Sequence, residues 1–286
     1  MSQLPPEVYS LIDAALSEDE TFNDPTTGLL IPQDIIGVGM LRAKAAGVLA
    51  GQDVAGSVFR RVDPDLLFEP LQSDGDALSP GSDIARVEGS AASILRAERI
   101  ALNFMQRMSG IASDTNRYVQ AIDGCRARIV DTRKTAPGHR YLDKYSVRMG
   151  GGHNHRLNLA DGILIKDNHI EALASREMVL KDVVELALKK ASHTIKVEVE
   201  VESITGVREA LDAGAHIIML DNMPVPMMQE AMDIIGDRAV VEASGGINMA
   251  SVRAVAETGV HLISIGGLTH STQALDISLD LEFPGN

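Results

Sequence analysis

The chain has 286 residues, 45% of them hydrophobic and 23% charged, with one cysteine and a net charge of −14. That length gives one large or two medium domains with a substantial core, and a single Cys125 excludes an internal disulfide. The acidity argues against a duplex-DNA or membrane-surface role, and a 3% aromatic content without Trp argues against stacking on single-stranded nucleic acid.

The opening MSQLPPEVYSLIDAALSEDE lacks a basic and apolar leader, and no stretch approaches a membrane span, so a cytoplasmic location is expected. Val8, Leu11, Ile12, Ala15 and Leu16 fall at helical spacing and predict an amphipathic helix over 6–17. Residues 36–60 read as extended strands broken at Gly37, Gly39, Gly47 and Gly51. Two turns follow, at Asp74–Asp76 and Pro80–Asp83, around short strands. From Ser90 the pattern Ile94, Ala97, Ala101, Leu102, Met105, Met108 predicts a long helix, with Gly110 as its C-terminal cap. These residues make an N-terminal α+β domain over 1–112.

The rhythm then changes to βα units. Runs at 127–131, 162–165, 194–201, 216–220, 239–242 and 261–265 are rich in β-branched residues, and the last four begin roughly 20 residues apart. Helical patterns at 203–213, 225–235 and 248–258 are each followed by a glycine, at 214, 236 and 259. No Gly-x-Gly-x-x-Gly opens a helix, so no dinucleotide-binding Rossmann unit is indicated. The expected architecture is an incomplete parallel (β/α) barrel over 113–270.

The strands discharge polar residues or glycine at one end: Arg133 and Lys134; Lys166; Glu200 and Glu202; Asp221 and Asn222; Ser244, Gly245 and Gly246; Gly266 and Gly267. Barrel active sites lie at that end. The window 126–166 holds nine Lys and Arg against three acids inside an acidic chain, which predicts an anionic ligand. SGG and IGG on the last two strands suit a phosphate cradle, with a helix start near Asn248 aimed at it. Arg133, His155 and Arg156 suit carboxylates. Glu198, Glu200 and Glu202 share one strand face. Glu200 and Asp221 are the expected partners of Mg²⁺ or of ribose hydroxyls. His153 and His155 give a weak zinc spacing, opposed by the adjacent Arg156. Arg99, mid-helix, reads as a surface residue.

The strings DTRKTAPGHR, GGGHNHRLNLADGILIKDNH, VEVEV, MLDNM, EASGGI and SIGGLTHS resemble the quinolinate phosphoribosyltransferase family. So do AGVLAG, DGDALSPGSDIARVEG and LRAERIALNFMQRMSGIAS further back, and the resemblance covers nearly the whole chain. Ser113 and Asn158 depart from the family's usual Thr and Gly.

The resemblance implies an N-terminal α+β sandwich, with the tail 271–286 packing on it, and a barrel of six or seven strands. It also implies homodimers or assemblies of dimers in which Arg99 crosses the interface to the substrate's carboxylates. Arg133, His155, Arg156 and Lys166 would line a quinolinate pocket, and Lys134 would meet phosphoribosyl pyrophosphate. Glu200 and Asp221 would serve the ribose and Mg²⁺, and Ser244, Gly245, Gly246, Gly266 and Gly267 would hold the 5′-phosphate. Lys134, Lys166, Glu200 and Asp221 would carry the chemistry: phosphoribosyl transfer with decarboxylation to nicotinate mononucleotide. Rival readings are a relative with another acceptor (nicotinate, or a molybdenum-associated role), a Schiff-base lyase using Lys134 or Lys166, and a non-catalytic phosphate binder.

Overall fold

The structure is a computed structural model, described here for residues 4–283. In chain order the elements of the first half are α1 (Pro6–Glu18), a 3-10 turn (Thr21–Asn23), α2 (Pro25–Leu30), β1 (Ile36–Ala43), β2 (Gly47–Val48), α3 (Gln52–Val62), β3 (Leu67–Pro70), β4 (Ala77–Leu78), β5 (Asp83–Ser90) and α4 (Ala91–Ala121). Then follow β6 (Arg128–Val130), α5 (Arg140–Met149), β7 (Ile163–Ile165), α6 (Asp167–Ala174), α7 (Leu180–Lys190), β8 (Val197–Val201), α8 (Ile204–Asp212), β9 (Ile217–Asp221), α9 (Val225–Ile235), β10 (Val240–Ser244), α10 (Val252–Glu257), β11 (Leu262–Ser264), α11 (Gly267–His270) and β12 (Ile277–Glu282).

The chain divides into two units. The first comprises 1–116, 135–151 and 268–286; the second comprises 117–134 and 152–267. The division therefore falls within α4 rather than at 112, and α5 belongs with the first unit.

The first unit is built on a four-stranded antiparallel sheet of order β12-β1-β5-β3. The tail strand β12 pairs with β1 from Val38↔Glu282 to Ala43↔Ile277. Along β1 exposed or half-buried residues alternate with buried ones, the period-2 pattern of a sheet with one face on a core. Helix α1 buries Val8, Ile12 and Leu16, spaced four apart on one stripe.

Two expectations fail here. Residues 52–60 are helical, not extended: α3 buries Val54, Ala55, Val58 and Phe59 on one side. Its first turn is closed from a distance, because the Asp74 carboxylate accepts from Gly51 N at 3.0 Å and Gln52 N at 3.1 Å. Gly110 is no cap either; α4 continues to Ala121. A Cβ at Gly110 would stand 2.0 Å from the Gln273 carbonyl oxygen, so this glycine serves close packing of the tail.

The second unit is a six-stranded parallel sheet of order β6-β11-β10-β9-β8-β7. The first strand in sequence pairs with the last, which is the wrap of a barrel, and β6 and β7 remain as its two edges. A single parallel bridge, Val130↔His153, adds a fragment of a seventh strand beside β6. This is the incomplete (β/α) barrel expected. Val197, Val199 and Val201 are buried, as are Val207 and Ala210 on α8. The glycines after α8, α9 and α10 have φ of 84, 56 and 88°, a backbone region that L side chains enter only at a cost.

Candidate active site

A cavity of about 620 Å³ opens at the C-terminal ends of the parallel strands. It is lined by Thr132, Arg133, Lys134, His155, Arg156, Leu164, Lys166, Glu200, Met219, Asp221, Asn222, Glu242, Ser244, Gly245, Gly246 and Ser264. Most of the residues singled out from sequence thus meet in one place. Gly266 and Gly267 follow β11 and are not among the lining residues, whereas Ser264 of that strand is. Arg99 is exposed on α4 in the first unit.

The cations are held by short local devices. Arg156 donates through Nη1 to the Gly162 carbonyl at 3.2 Å, and its backbone N–H donates to His155 Nδ1 at 2.8 Å. The preceding segment is fixed by Asp131, which is buried and accepts from Asn154 Nδ2 at 2.6 Å and His155 N at 2.9 Å. Burial lowers the Arg156 pKa and the neighbouring Arg133 charge lowers it further. Arg133 Nε is buried with no hydrogen-bond partner. Two guanidinium groups close enough to repel, one with an unanswered donor, have the charge and planar forks that match carboxylates. Lys166 Nζ lies 2.5 Å from Glu200 Oε2.

The glycine wall has its own geometry. Gly245 has φ 87°, and a Cβ there would sit 2.3 Å from Asn222 Oδ1. Asn222 itself takes φ 53°, gives its backbone N–H to Ser244 O at 3.0 Å and its Nδ2 to Asp221 Oδ2 at 2.6 Å. Asn222 thus locks the turn after β10 to the turn after β9. The helix expected to start near Asn248 begins at Val252, because Asn248 to Ser251 form a turn in which Asn248 Oδ1 accepts from Ala250 N at 2.9 Å. No helix start at Asn248 backs the phosphate cradle.

The three glutamates around β8 have different fates. Glu202 is exposed beyond the strand end, Glu200 pairs with Lys166 at the cavity, and Glu198 is buried deeper. His155 Nε2 lies 3.2 Å from Glu198 Oε2 and 3.4 Å from Glu242 Oε2. Burial alone would lower the His155 pKa, but the two carboxylates beside Nε2 raise it to about 10. Burial also pushes Glu198 upward. Nδ1 accepts from Arg156 N, so it is Nε2 that faces the two carboxylates. Among the described residues these three form a His/carboxylate set whose ligand atoms lie within 4.8 Å of one another. Glu242 was not foreseen as a site residue; its signal was a lone acid inside the apolar run AVVEAS.

Comparison with known proteins decides the family. The family model for the quinolinate phosphoribosyl transferase C-terminal domain matches residues 111–280, and that for the N-terminal domain matches 24–109. The chain belongs to the quinolinate phosphoribosyltransferase family. It is 42% identical over 292 residues to the mitochondrial quinolinate phosphoribosyltransferase [decarboxylating] 2b of Nicotiana tabacum, covering 96% of this chain and 82% of that one. It is also 42% identical to a probable nicotinate-nucleotide pyrophosphorylase [carboxylating] of Bacillus subtilis (strain 168), covering 90% and 89% of the two chains. The crystal structure of NadC from Streptococcus pyogenes superposes with a TM-score of 0.91 at 40% identity, over 99% of both chains. These relatives match at least nine-tenths of this chain.

Proposed function

We propose that this chain transfers the phosphoribosyl group of phosphoribosyl pyrophosphate to quinolinate and releases CO₂, giving nicotinate mononucleotide for NAD biosynthesis. The observation that carries the reading is that Arg133 and Arg156 line the same cavity as the glycine turn Ser244–Gly246. The two guanidinium groups suit a planar dicarboxylate, and the glycine turn suits a phosphate.

Arg133 and Arg156 orient the acceptor by its carboxylates. The pyridine nitrogen forms a bond to ribose C1 as the bond to pyrophosphate breaks. Glu200 and Asp221, on adjacent strands, face the positive charge that develops on the sugar. The quaternised ring nitrogen then accepts the electron pair left at C2 when the carboxylate departs as CO₂, and a proton replaces it. Lys134 and Lys166 oppose the negative charge of the donor and acceptor. No protein nucleophile is required, which disfavours the Schiff-base reading.

Glu200 and Asp221 offer hard oxygen donors of the kind Mg²⁺ takes. Glu200, one oxygen of which already faces Lys166, and Asp221 would be the residues that hold Mg²⁺. When bound, Mg²⁺ neutralises charge on the leaving pyrophosphate.

Homodimers are part of this proposal. Arg99 is an exposed cation on a helix whose other faces are largely buried, and it completes the neighbouring subunit's carboxylate site. Mixing Arg99→Ala with Lys166→Ala subunits should restore activity through hybrid dimers; no recovery would confine Arg99 to its own surface. Among the described residues no helix is long and apolar enough to cross a membrane, and a cytoplasmic location is proposed.

The direct assay supplies purified protein with Mg²⁺, phosphoribosyl pyrophosphate and either quinolinate or nicotinate. Equal yields of CO₂ and nucleotide with quinolinate alone are expected. Product from nicotinate would move the chain to a different acceptor.

A further inference from the structure

The second unit buries three acids near the cavity, and only one is fully answered. Asp131 is 0% exposed and accepts from Asn154 Nδ2 and the His155 amide. Glu242 is also 0% exposed, yet neither of its oxygens has a hydrogen-bond partner of good geometry, and His155 Nε2 lies 3.4 Å from its Oε2. Glu198 uses Oε2 toward the same nitrogen and leaves Oε1 unanswered. Burying an under-paired carboxylate is costly, and an apolar residue would fill the same barrel interior without that cost. The glutamates are therefore not explained by packing.

Their placement supplies the explanation. Glu198 is on β8 and Glu242 on β10, with β9 between them, while His155 follows the bridge residue beside β6. One imidazole thus ties three separate parts of the barrel together. Its opposite edge, Nδ1, accepts the backbone N–H of Arg156, and the Arg156 side chain is anchored at Gly162 O. Glu198 also attracts Arg156, offsetting part of the repulsion from Arg133.

We infer that Glu198 and Glu242 are positioning residues for the acceptor acid, acting through His155 to hold Arg156 at the cavity wall. The inference rests on the reading above that the acceptor is a dicarboxylate gripped by Arg133 and Arg156. It names no contact between either glutamate and substrate; their effect passes through the imidazole.

The test is steady-state kinetics on the full-length protein with quinolinate and phosphoribosyl pyrophosphate varied separately. Glu242→Ala should raise the KM for quinolinate roughly 10- to 100-fold, the range for groups that orient a ligand-binding side chain, with the donor KM within about 2-fold. Glu242→Gln keeps an acceptor for Nε2–H and should recover most of that loss. Where Glu242→Ala does not fold, Glu198→Ala is read by the same criteria. An unchanged quinolinate KM, equal rises in both KM values, or a Gln variant as poor as the Ala variant would overturn the inference. So would a stoichiometric transition metal in the purified wild type that His155→Ala lacks, because the carboxylates would then serve a cation. Wild-type protein inactive on quinolinate defeats the proposed function itself; an active wild type with an unmoved variant KM defeats only the positioning role.

Discussion

Asp143 in the first unit and Glu242 in the second are both buried acids, and their surroundings differ in kind. Asp143 receives the Arg107 guanidinium at 3.0 and 3.2 Å and the Ala136 N–H at 3.1 Å, so both oxygens are used. Glu242 faces a single imidazole at 3.4 Å and leaves its oxygens without a good hydrogen bond. Arg107 is paired in the same way, donating further to the Thr269 carbonyl at 3.1 Å, whereas Arg133 keeps a buried Nε with no partner. A buried charge whose hydrogen bonds are complete stabilises one arrangement of the chain. Buried charges left incomplete on both signs, around one cavity, are what a functional site shows and a scaffold does not.

Four experiments probe that contrast. The largest effect should come from the completed pair: Asp143→Ala leaves Arg107 facing a hole and should cost about 3–5 kcal/mol of stability, read as a shift of the urea midpoint. A shift under a quarter of that would mean Arg107 finds water at little cost. Next is Lys166→Ala, whose side chain is 44% exposed and pairs with Glu200 at the cavity. It should lower kcat about 10²–10³-fold with an unchanged melting temperature. Loss of both together would return Lys166 to the scaffold. Third, Gly245→Ala forces an L side chain to φ 87° against Asn222. It should cost roughly 1–2 kcal/mol of stability and raise the KM for the phosphoribosyl donor more than that for quinolinate.

The smallest effect tests the first unit's polar network by pH. Burial holds the His139 pKa below its ordinary 6.5, outweighing the pull of Asp143. The folded state therefore keeps His139 neutral while the unfolded chain takes up a proton first. Its contribution to stability is full above pH 6.5 and falls away as the pH drops through the lower folded value. His139→Asn should flatten that part of the stability profile; an equal slope in the variant would assign the pH dependence to other groups.

The barrel was legible because its signals are local. β-branched runs recur at a fixed spacing, Gly214, Gly236 and Gly259 stop the helices, and charged or glycine residues follow each strand. Most of those strand ends line the cavity. The misreadings arose where a partner is far away in sequence. Gly47 and Gly51 made 36–60 look extended, but the first turn of α3 is closed by Asp74, more than twenty residues on. Gly110 looked like a helix stop, yet its missing Cβ makes room for the tail at Gln273. Glu198 and Glu200 were visible as acids on one strand face, but nothing local says that one meets His155 and the other Lys166.

By itself the sequence determined the βα rhythm of the second unit and which residue types stand at its strand ends, since these follow from backbone propensity and hydrophobic period within a few residues. Only the tertiary structure decided which charges are answered. The Lys166–Glu200 pair spans 34 positions and the Arg107–Asp143 pair 36. Whether an ion is completed or left open to a ligand depends on which strands the barrel brings side by side.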